Sequence, residues 1–300
     1  MKKVVIFGAG SYGKTLYERL KDKQEILFFT DNNANAENVP PHAHVRVLPP
    51  SILKEVDFDL VHIASVSGLE SIYKQLTEDL EIPARKVNRM YSEYWQSSDS
   101  PTPSFLKYSE EARNNFLKSF SFYAYENNIE GSAAEIGVHR GSFAKEINRV
   151  FPTKKLYLFD TFEGFPENDL DVEKSKNPDS QGLFNWVEKN NFLKDCTVED
   201  VINIMPFPEN CMIKKGYFPE TFDIRHEKFA FVNIDTDLYQ PTKAGLEIFY
   251  PLMSSGGVIL IHDYFCGCLG VTKAVDEFLE KEGLTAIPIG DLMSIAIVKN

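Results

Sequence analysis

The sequence predicts an α/β protein made of two doubly wound domains, a small one at the N-terminus and a larger one at the C-terminus. A short apolar strand, a glycine turn and a helical pattern follow one another twice, at residues 4–20 and again at 134–150. Apolar strands alternate with amphipathic helices through both segments, which favours parallel sheets. Two short strands at 286–289 and 294–298 predict a terminal β-hairpin. Both domains are therefore expected to be Rossmann-like.

Composition restricts the class of protein. The chain has 300 residues, 43% of them hydrophobic, which suits two cores better than one. Its net charge of -12 argues against nucleic acid as a partner, because binding to phosphates needs a basic face. No apolar run is long enough to cross a bilayer, and the N-terminus runs directly into a strand. We therefore expect a cytoplasmic protein with no membrane partner.

The cysteines indicate neither a disulfide framework nor a structural zinc site. Cys196, Cys211, Cys266 and Cys268 are few and unevenly spaced, and the last two are separated by one residue only. Reduced, partly buried thiols are expected.

Residues 1–95 are expected to form the first domain, with strands at 4–7, 26–29 and 60–64. A glycine turn over 8–13 is expected to lead into a helix that ends at residue 20, and a second helix is expected at 68–80. The polar, proline-bearing stretch 96–104 predicts a linker. Residues 105–300 form the second domain, in which a helix over 105–127 leads into the first strand.

A glycine fingerprint in the first domain indicates a nucleotide site. Gly8, Gly10 and Gly13 have G-x-G-x-x-G spacing after a strand, and Asp31 ends the next strand, where a ribose-binding acid would lie. NAD binding is one interpretation, and a tight turn without a ligand is another. Residues 30–33 and the short length also resemble the N-terminal domains of PglD-like sugar acyltransferases. That resemblance implies a nucleotide sugar, with its phosphates at the glycine loop and a hydroxyl at the acid.

The second domain has a different loop. Glu135, Gly137 and Gly141 have E-x-G-x-x-x-G spacing without the lysine of a triphosphate cradle, and Asp160 ends the neighbouring strand. The glycines admit a ligand close to the backbone, and Asp160 can accept hydrogen bonds from a ribose diol. A nucleoside without a phosphate chain indicates S-adenosylmethionine. Further candidates for cofactor contact are His139, Arg140 and Thr161, although His139 is also explained as a loop residue and Arg140 as a partner of nearby acids.

Acidic residues follow two apolar strands of the second domain. Asp235 and Asp237 come after the strand at 229–234, and His262 and Asp263 come after the strand at 258–261. Strand ends converge at one edge of a parallel sheet, and three or more oxygen or imidazole donors suit Mg²⁺, or Mn²⁺ where imidazole joins. Acids at strand ends also cap the following helices, which is the alternative explanation.

Residues 105–300 resemble the macrocin O-methyltransferase (TylF-type) family of sugar O-methyltransferases. Eight motifs in order carry the resemblance, at residues 127–131, 135–141, 159–166, 216–221, 234–239, 256–257, 262–264 and 270–278. It implies a class I methyltransferase fold and S-adenosylmethionine as cofactor. It also implies metal ligation by Asp235, His262 and Asp263, with Asp237 as the base. His262 stands where the family usually has an aspartate, which leaves three consequences open: weaker metal binding, preference for another ion, or His262 acting as the base.

The predicted function is transfer of a methyl group to a hydroxyl of a sugar or nucleotide sugar, in surface-polysaccharide or natural-product synthesis. Two rivals stay open: an inactive sugar-nucleotide-binding scaffold, and an NAD-dependent sugar oxidoreductase that uses the first domain. A homo-oligomer is also possible. The segment 167–191, with Phe184 and Trp186, is interpreted either as an active-site lid that covers the sugar or as a disordered surface loop.

Overall fold

The computed structural model describes residues 1–33, 45–93, 103–177, 184–185, 196–266 and 268–300. The chain divides into two compact units, residues 1–105 and 106–300. The predicted linker at 96–104 lies outside the described residues except for its last two positions. Those two already belong to a helix, which begins at Pro103 rather than at 105. Proline suits the first turn of a helix, where its missing N–H group has no intrahelical partner.

In the part of the N-terminal unit that the structure describes, five parallel strands form one sheet. They are β1 (Lys3–Phe7), β2 (Glu25–Thr30), β3 (Val47–Leu48), β4 (Leu60–Ile63) and β5 (Val87–Asn88). Their order is β3-β2-β1-β4-β5. Helix α1 (Ser11–Leu20) follows the glycine turn. The helix predicted at 68–80 is α2 (Leu69–Lys74), which continues through Gln75–Asp79 in the wider π geometry.

The glycine turn of this unit is partly explained by packing. A Cβ atom on Gly13 would lie 1.9 Å from the carbonyl oxygen of Gly8, so α1 can approach β1 only because Gly13 has no side chain. Gly10 differs, since a Cβ atom there would meet no atom of the described residues within 4 Å, its chain neighbours apart. Packing therefore explains why residue 13 is a glycine, but it does not explain why residue 10 is one.

The described residues of the C-terminal unit form a seven-stranded sheet. Its strands are β6 (Ser132–Ile136), β7 (Leu156–Asp160), β8 (Cys211–Lys215), β9 (Phe229–Ile234), β10 (Met253–Ile261), β11 (Ile287–Pro288) and β12 (Ile295–Val298). Their order is β11-β12-β10-β9-β6-β7-β8. Strands β6 to β10 run parallel, whereas β12 is antiparallel to both β10 and β11. The predicted terminal hairpin is confirmed.

Helices cover both faces of this sheet. They are α3 (Pro103–Glu126), α4 (Ser142–Val150), α5 (Glu167–Lys176), α6 (Val198–Asn203), α7 (Tyr239–Phe249) and α8 (Leu269–Glu282). Phe231 of β9 packs with residues of α3 and α4, while its neighbour Val232 packs with residues of α7 and α8. Strand β9 is buried along its whole length because apolar helices lie on both sides of it. The doubly wound α/β fold is therefore confirmed.

The connectivity of the sheet creates the crevice in which ligands of such folds bind. Strand β6 lies between β7 and β9, so the chain leaves β6 in one direction and later returns on its other side. Backbone hydrogen bonds keep the carboxyl ends of β6, β9 and β10 in register at this crevice. Asp235 N–H donates to the Ile136 carbonyl at 2.9 Å, and His262 N–H donates to the Ile234 carbonyl at 2.9 Å. Among the described residues, no helix combines the length and the apolar character needed to cross a membrane.

Candidate active site

A cavity of about 350 Å³ opens at the carboxyl ends of β6, β7, β9 and β10. This volume lies within the range of small-molecule sites. The predicted residues that line the cavity are Glu135, Gly137, His139, Arg140, Asp160, Thr161, Asp235, Asp237, His262 and Asp263. The structure thus brings the glycine loop and the acidic strand ends to one place. Aromatic side chains complete the lining, at Phe143, Phe165, Tyr217 and Phe218 among others.

Two glycines of the loop have different physical roles. Gly137 has φ +82°, and a Cβ atom there would lie 1.9 Å from the carbonyl oxygen of Asp235. Glycine is therefore required for the loop to lie against the end of β9. Gly141 does not line the cavity, because a Cβ atom there would point at the side chains of Val201 and Met205. Its place is in the packing of α4 against α6.

Asp160 fixes the glycine loop from the end of β7. Its Oδ2 accepts the backbone N–H groups of Val138 at 2.7 Å and His139 at 2.8 Å, and its Oδ1 accepts that of Phe162 at 2.6 Å. A carboxylate has about four acceptor sites, so capacity for a ribose hydroxyl remains. Asp31 holds the loop of the N-terminal unit in the same manner, since its Oδ2 accepts Ala9 N–H at 3.0 Å. This loop-fixing role was not predicted.

Glu135 is a buried carboxyl group at the end of β6. Its Oε1 accepts a hydrogen bond from Asn233 Nδ2 at 2.9 Å, whereas its buried Oε2 has no hydrogen-bond partner among the residues that the structure describes. Burial and, to a lesser extent, the charge of Asp235 raise the pKa of Glu135 against the opposing charge of Arg113, and the net result is a pKa of about 8. The site therefore contains an acid that a cationic ligand group would help to ionise.

Because Glu135 is buried, we expect the free energy of unfolding to depend on pH. Because the pKa of Glu135 is raised from 4.5 to about 8, the folded state keeps a proton that the unfolded chain releases. Stability should therefore fall as pH rises through that window. Glu135→Gln should remove the part of this fall that Glu135 causes and stabilise the ligand-free protein near pH 8 by about 2 to 5 kcal/mol. Unfolding measured across the window checks this, with exposed Glu163→Gln as the control. Parallel pH curves for wild type and Glu135→Gln would contradict it.

We call Asp235, His262 and Asp263 the acid cluster. His262 Nδ1 lies 3.1 Å from Asp235 Oδ1 and 3.0 Å from Asp263 Oδ2, and the three residues offer ligand atoms within 4.8 Å of one another. Burial would lower the pKa of His262, but the charges of Asp235 and Asp263 raise it well above its usual value. The carboxylates thus favour a cation between them. Oxygen and imidazole donors at this spacing fit a divalent metal ion.

Asp237 lies beside the acid cluster with its backbone in the left-handed region, at φ +60°. Asp263 has nearly the same conformation, at φ +59°. Such backbone is uncommon outside glycine and concentrates at functional sites. Burial and the charges of Asp263 and Asp235 raise the pKa of Asp237 well above its usual range. Asp237 is therefore a stronger base than an ordinary surface carboxylate.

Arg113 belongs to the site and was missed by the sequence analysis. Its Nη1 donates to Asp235 Oδ2 at 2.8 Å, and its guanidinium lies 4.1 Å from the ring centroid of Phe143. Burial lowers the pKa of Arg113, but the charge of Asp235 and the hydrogen bond outweigh it, so the side chain stays a cation. A signal did exist in the sequence. Arg113 lies on the buried stripe of α3 between Ser109 and Leu117, where a cation needs a partner.

Glu173 was also missed. It is fully buried in α5, accepts the backbone N–H of Tyr239 at 2.8 Å, and is hydrogen-bonded to the backbone of Gly270. One carboxylate therefore holds the first turns of α7 and α8, which follow the two strands that carry the acid cluster. Asp169, one turn earlier in α5, accepts a hydrogen bond from Tyr217 Oη at 2.8 Å, and both residues line the cavity.

The segment interpreted as a lid begins as helix α5, and its residues 178–183 and 186–191 lie outside the described residues. Trp186 is among the latter. Thr161 fixes the turn before α5, because its hydroxyl donates to the Gly164 carbonyl at 2.8 Å and accepts Glu163 N–H at 3.2 Å.

Comparison with known proteins decides the family. The model of the macrocin O-methyltransferase (TylF) family matches residues 47–297. The chain belongs to this family. The match begins before residue 105, where the resemblance was placed, and so includes part of the N-terminal unit. A second model, described as C2185-like, N-terminal, matches residues 1–88.

Individual relatives are distant. Mycinamicin III 3''-O-methyltransferase of Micromonospora griseorubida is 25% identical over 54% of this chain and 65% of its own length. A tetracenomycin rhamnosyl 4'-O-methyltransferase of Streptomyces olivaceus is 27% identical over 45% of this chain and 54% of its own. The chain thus spans less than two thirds of these curated relatives. The solved O-methyltransferase NovP superposes with a TM-score of 0.52 at 23% identity, covering 63% of this chain and 80% of NovP, which shows the shared fold.

Proposed function

We propose that this protein transfers a methyl group from S-adenosylmethionine to a hydroxyl of a sugar. The observation that carries the proposal is that one cavity is lined both by a glycine loop suited to a nucleoside and by a cluster of acids suited to an acceptor hydroxyl. Family membership and the names of the relatives support the same reaction. We further propose that the acceptor is nucleotide-linked, that the pathway is surface-polysaccharide or natural-product synthesis, and that the protein acts in the cytoplasm.

In this proposal, Asp160 and the loop at Gly137 bind the nucleoside of S-adenosylmethionine, which supplies the methyl group. The loop is already held in shape by the hydrogen bonds from Val138 and His139 to Asp160, so little ordering is needed on binding. Glu135, whose buried Oε2 has no hydrogen-bond partner in the described part of the chain, provides negative charge for the cationic part of the cofactor.

The acid cluster is proposed as the site of a divalent metal ion, with Asp235, His262 and Asp263 as ligands. When bound, such an ion lowers the pKa of a coordinated hydroxyl and fixes its oxygen. Arg113 donates a hydrogen bond to Oδ2 of Asp235, whereas Oδ1 of the same carboxylate faces His262. Arg113 therefore orients Asp235 as a ligand. Asp237 takes the proton from the acceptor hydroxyl, a role that its raised pKa favours. His262 replaces the usual aspartate, and Mn²⁺ is the ion to test beside Mg²⁺.

Calorimetric titration with S-adenosylhomocysteine tests the cofactor site. Asp160→Ala should weaken binding by about tenfold to a hundredfold, which corresponds to about 1.5 to 3 kcal/mol, because a charged acceptor for the ribose and the loop is lost. Asp31→Ala is a matched control, since Asp31 also accepts a loop N–H group but lies in the other unit. Equal affinity of wild type and a folded Asp160→Ala would remove Asp160 from the site, and no binding by wild type would favour the scaffold or oxidoreductase.

For the N-terminal unit we propose binding of the nucleotide part of a nucleotide sugar. Gly10→Val is the sharpest variant, because its Cβ atom would have open space around it within the described structure, so the substitution should leave the fold intact. It would, however, block the approach of a phosphate to the backbone. We expect calorimetry to show loss of nucleotide-sugar binding with unchanged S-adenosylhomocysteine binding. Unaltered nucleotide-sugar affinity would contradict the proposal, and NAD binding that the variant loses would favour the oxidoreductase.

A further inference from the structure

We propose a second metal site, formed by Asp263, Cys266 and Cys268, that binds a thiophilic divalent cation such as Zn²⁺. The ligand atoms offered by these three residues lie within 4.8 Å of one another. Asp263 and Cys268 are buried and Cys266 is partly buried. The proposal goes beyond methyl transfer, because neither sulfur belongs to the acid cluster.

The carboxylate of Asp263 faces two groups of donors. Its Oδ2 lies 3.0 Å from His262 Nδ1, on the side of the acid cluster. Its Oδ1 lies 3.3 Å from Cys266 Sγ, which is also 3.2 Å from the Asp263 carbonyl oxygen. Cys268 N–H donates to Cys266 Sγ at 3.4 Å and so draws the second cysteine toward the first. One aspartate therefore stands between an oxygen and imidazole site and a thiol pair.

The donor set selects the ion. Two sulfurs and one carboxylate oxygen suit Zn²⁺, whereas Mg²⁺ prefers oxygen ligands alone. Binding breaks two S–H bonds, forms two metal–sulfur bonds and releases two protons to solvent, without oxidation or reduction. Zn²⁺ held by three protein ligands would take water as its fourth ligand. Because Asp263 lines the cavity, an ion can reach the site from there.

Sharing of Asp263 has a functional consequence. A soft ion held by the two thiolates draws the Asp263 carboxylate away from His262, so occupancy of the thiol site should inhibit activity that depends on the acid cluster. Cys266→Ser/Cys268→Ser should keep basal activity. The Zn²⁺ concentration needed to inhibit this variant should be at least tenfold higher than for the wild type. Serine is also a suitable residue at position 268, which is the N-cap of α8.

The test uses the full chain, reduced and freed of metal, with Co²⁺ and Zn²⁺ as probes and with neither cofactor nor sugar present. Titration with Co²⁺ should produce a thiolate-to-cobalt charge-transfer band that saturates at one equivalent and is displaced by Zn²⁺. The band should disappear in Cys266→Ser/Cys268→Ser and persist in the control Cys196→Ser/Cys211→Ser, with S-adenosylhomocysteine binding as the check on folding.

X-ray absorption of the wild-type zinc complex gives a reading that needs no variant, and two sulfur scatterers are expected. Absence of sulfur around the zinc, or an undiminished band in the folded double variant, would overturn the proposal. Neither outcome would affect the proposed methyl transfer, which is measured separately through cofactor binding and product.

Discussion

Asp235→Ala is expected to abolish methyl transfer while leaving cofactor binding intact. Asp235 accepts a hydrogen bond from Arg113 and lies 3.1 Å from His262, so its loss leaves two cationic side chains without the carboxylate between them. It also removes one of the three proposed metal ligands. We expect turnover to fall at least about a thousandfold, comparable to the loss of a major electrostatic group in an active site.

Turnover with S-adenosylmethionine and calorimetry with S-adenosylhomocysteine are the two measurements for this variant. Asp223→Ala is a suitable control, because Asp223 is an exposed acid that pairs with Lys214 away from the cavity. The metal-assisted account is wrong if a chelator leaves the wild type unaffected and Asp235→Ala stays active.

Asp237→Asn should lower kcat by about a hundredfold to ten-thousandfold, the range typical of a lost general base. The amide is nearly the same size as the carboxylate but cannot take a proton from the acceptor hydroxyl. Binding of S-adenosylhomocysteine should be unchanged, because the glycine loop and Asp160 do not depend on Asp237. Single-turnover kinetics separates the chemical step from binding.

A second substitution distinguishes Asp237 from His262 as the base. His262→Asp introduces the aspartate that the resemblance to the family implies here, and it keeps a proposed metal ligand at this position. If Asp237 is the base, His262→Asp should retain activity within about tenfold of wild type, whereas Asp237→Asn should not. The opposite pattern, with His262→Asp inactive in a folded, metal-binding protein and Asp237→Asn active, would assign the base to His262.

The fold could be predicted because its signals are local in the sequence. Apolar runs of strand length and the glycine turns at Gly8 and Gly137 identify the two doubly wound units, and the final short strands identify the hairpin. The start of α3 differed because Pro103 has two interpretations, a loop residue or the first turn of a helix.

The acidic strand ends were predictable for a similar reason, since parallel strands end at the same edge of a sheet. Side chains that reach the site from distant parts of the sequence could not be predicted. Arg113 lies 122 residues before Asp235, and only the packing of α3 brings the two together. Glu173 acts through backbone N–H groups of two distant helices, which have no signature in the sequence. Asp160 was assigned to the ribose alone, because its backbone contacts depend on the exact path of the glycine loop.

The most direct test of the central claim is mass spectrometry of nucleotide sugars after incubation of the full chain with methyl-labelled S-adenosylmethionine and Mg²⁺ or Mn²⁺. We expect one labelled methyl group on a hydroxyl of the sugar, an equal amount of S-adenosylhomocysteine, and no product from Asp235→Ala. Label on the base or on the protein itself, or a panel of nucleotide and free sugars left unmodified by a chain that binds S-adenosylhomocysteine, would contradict it.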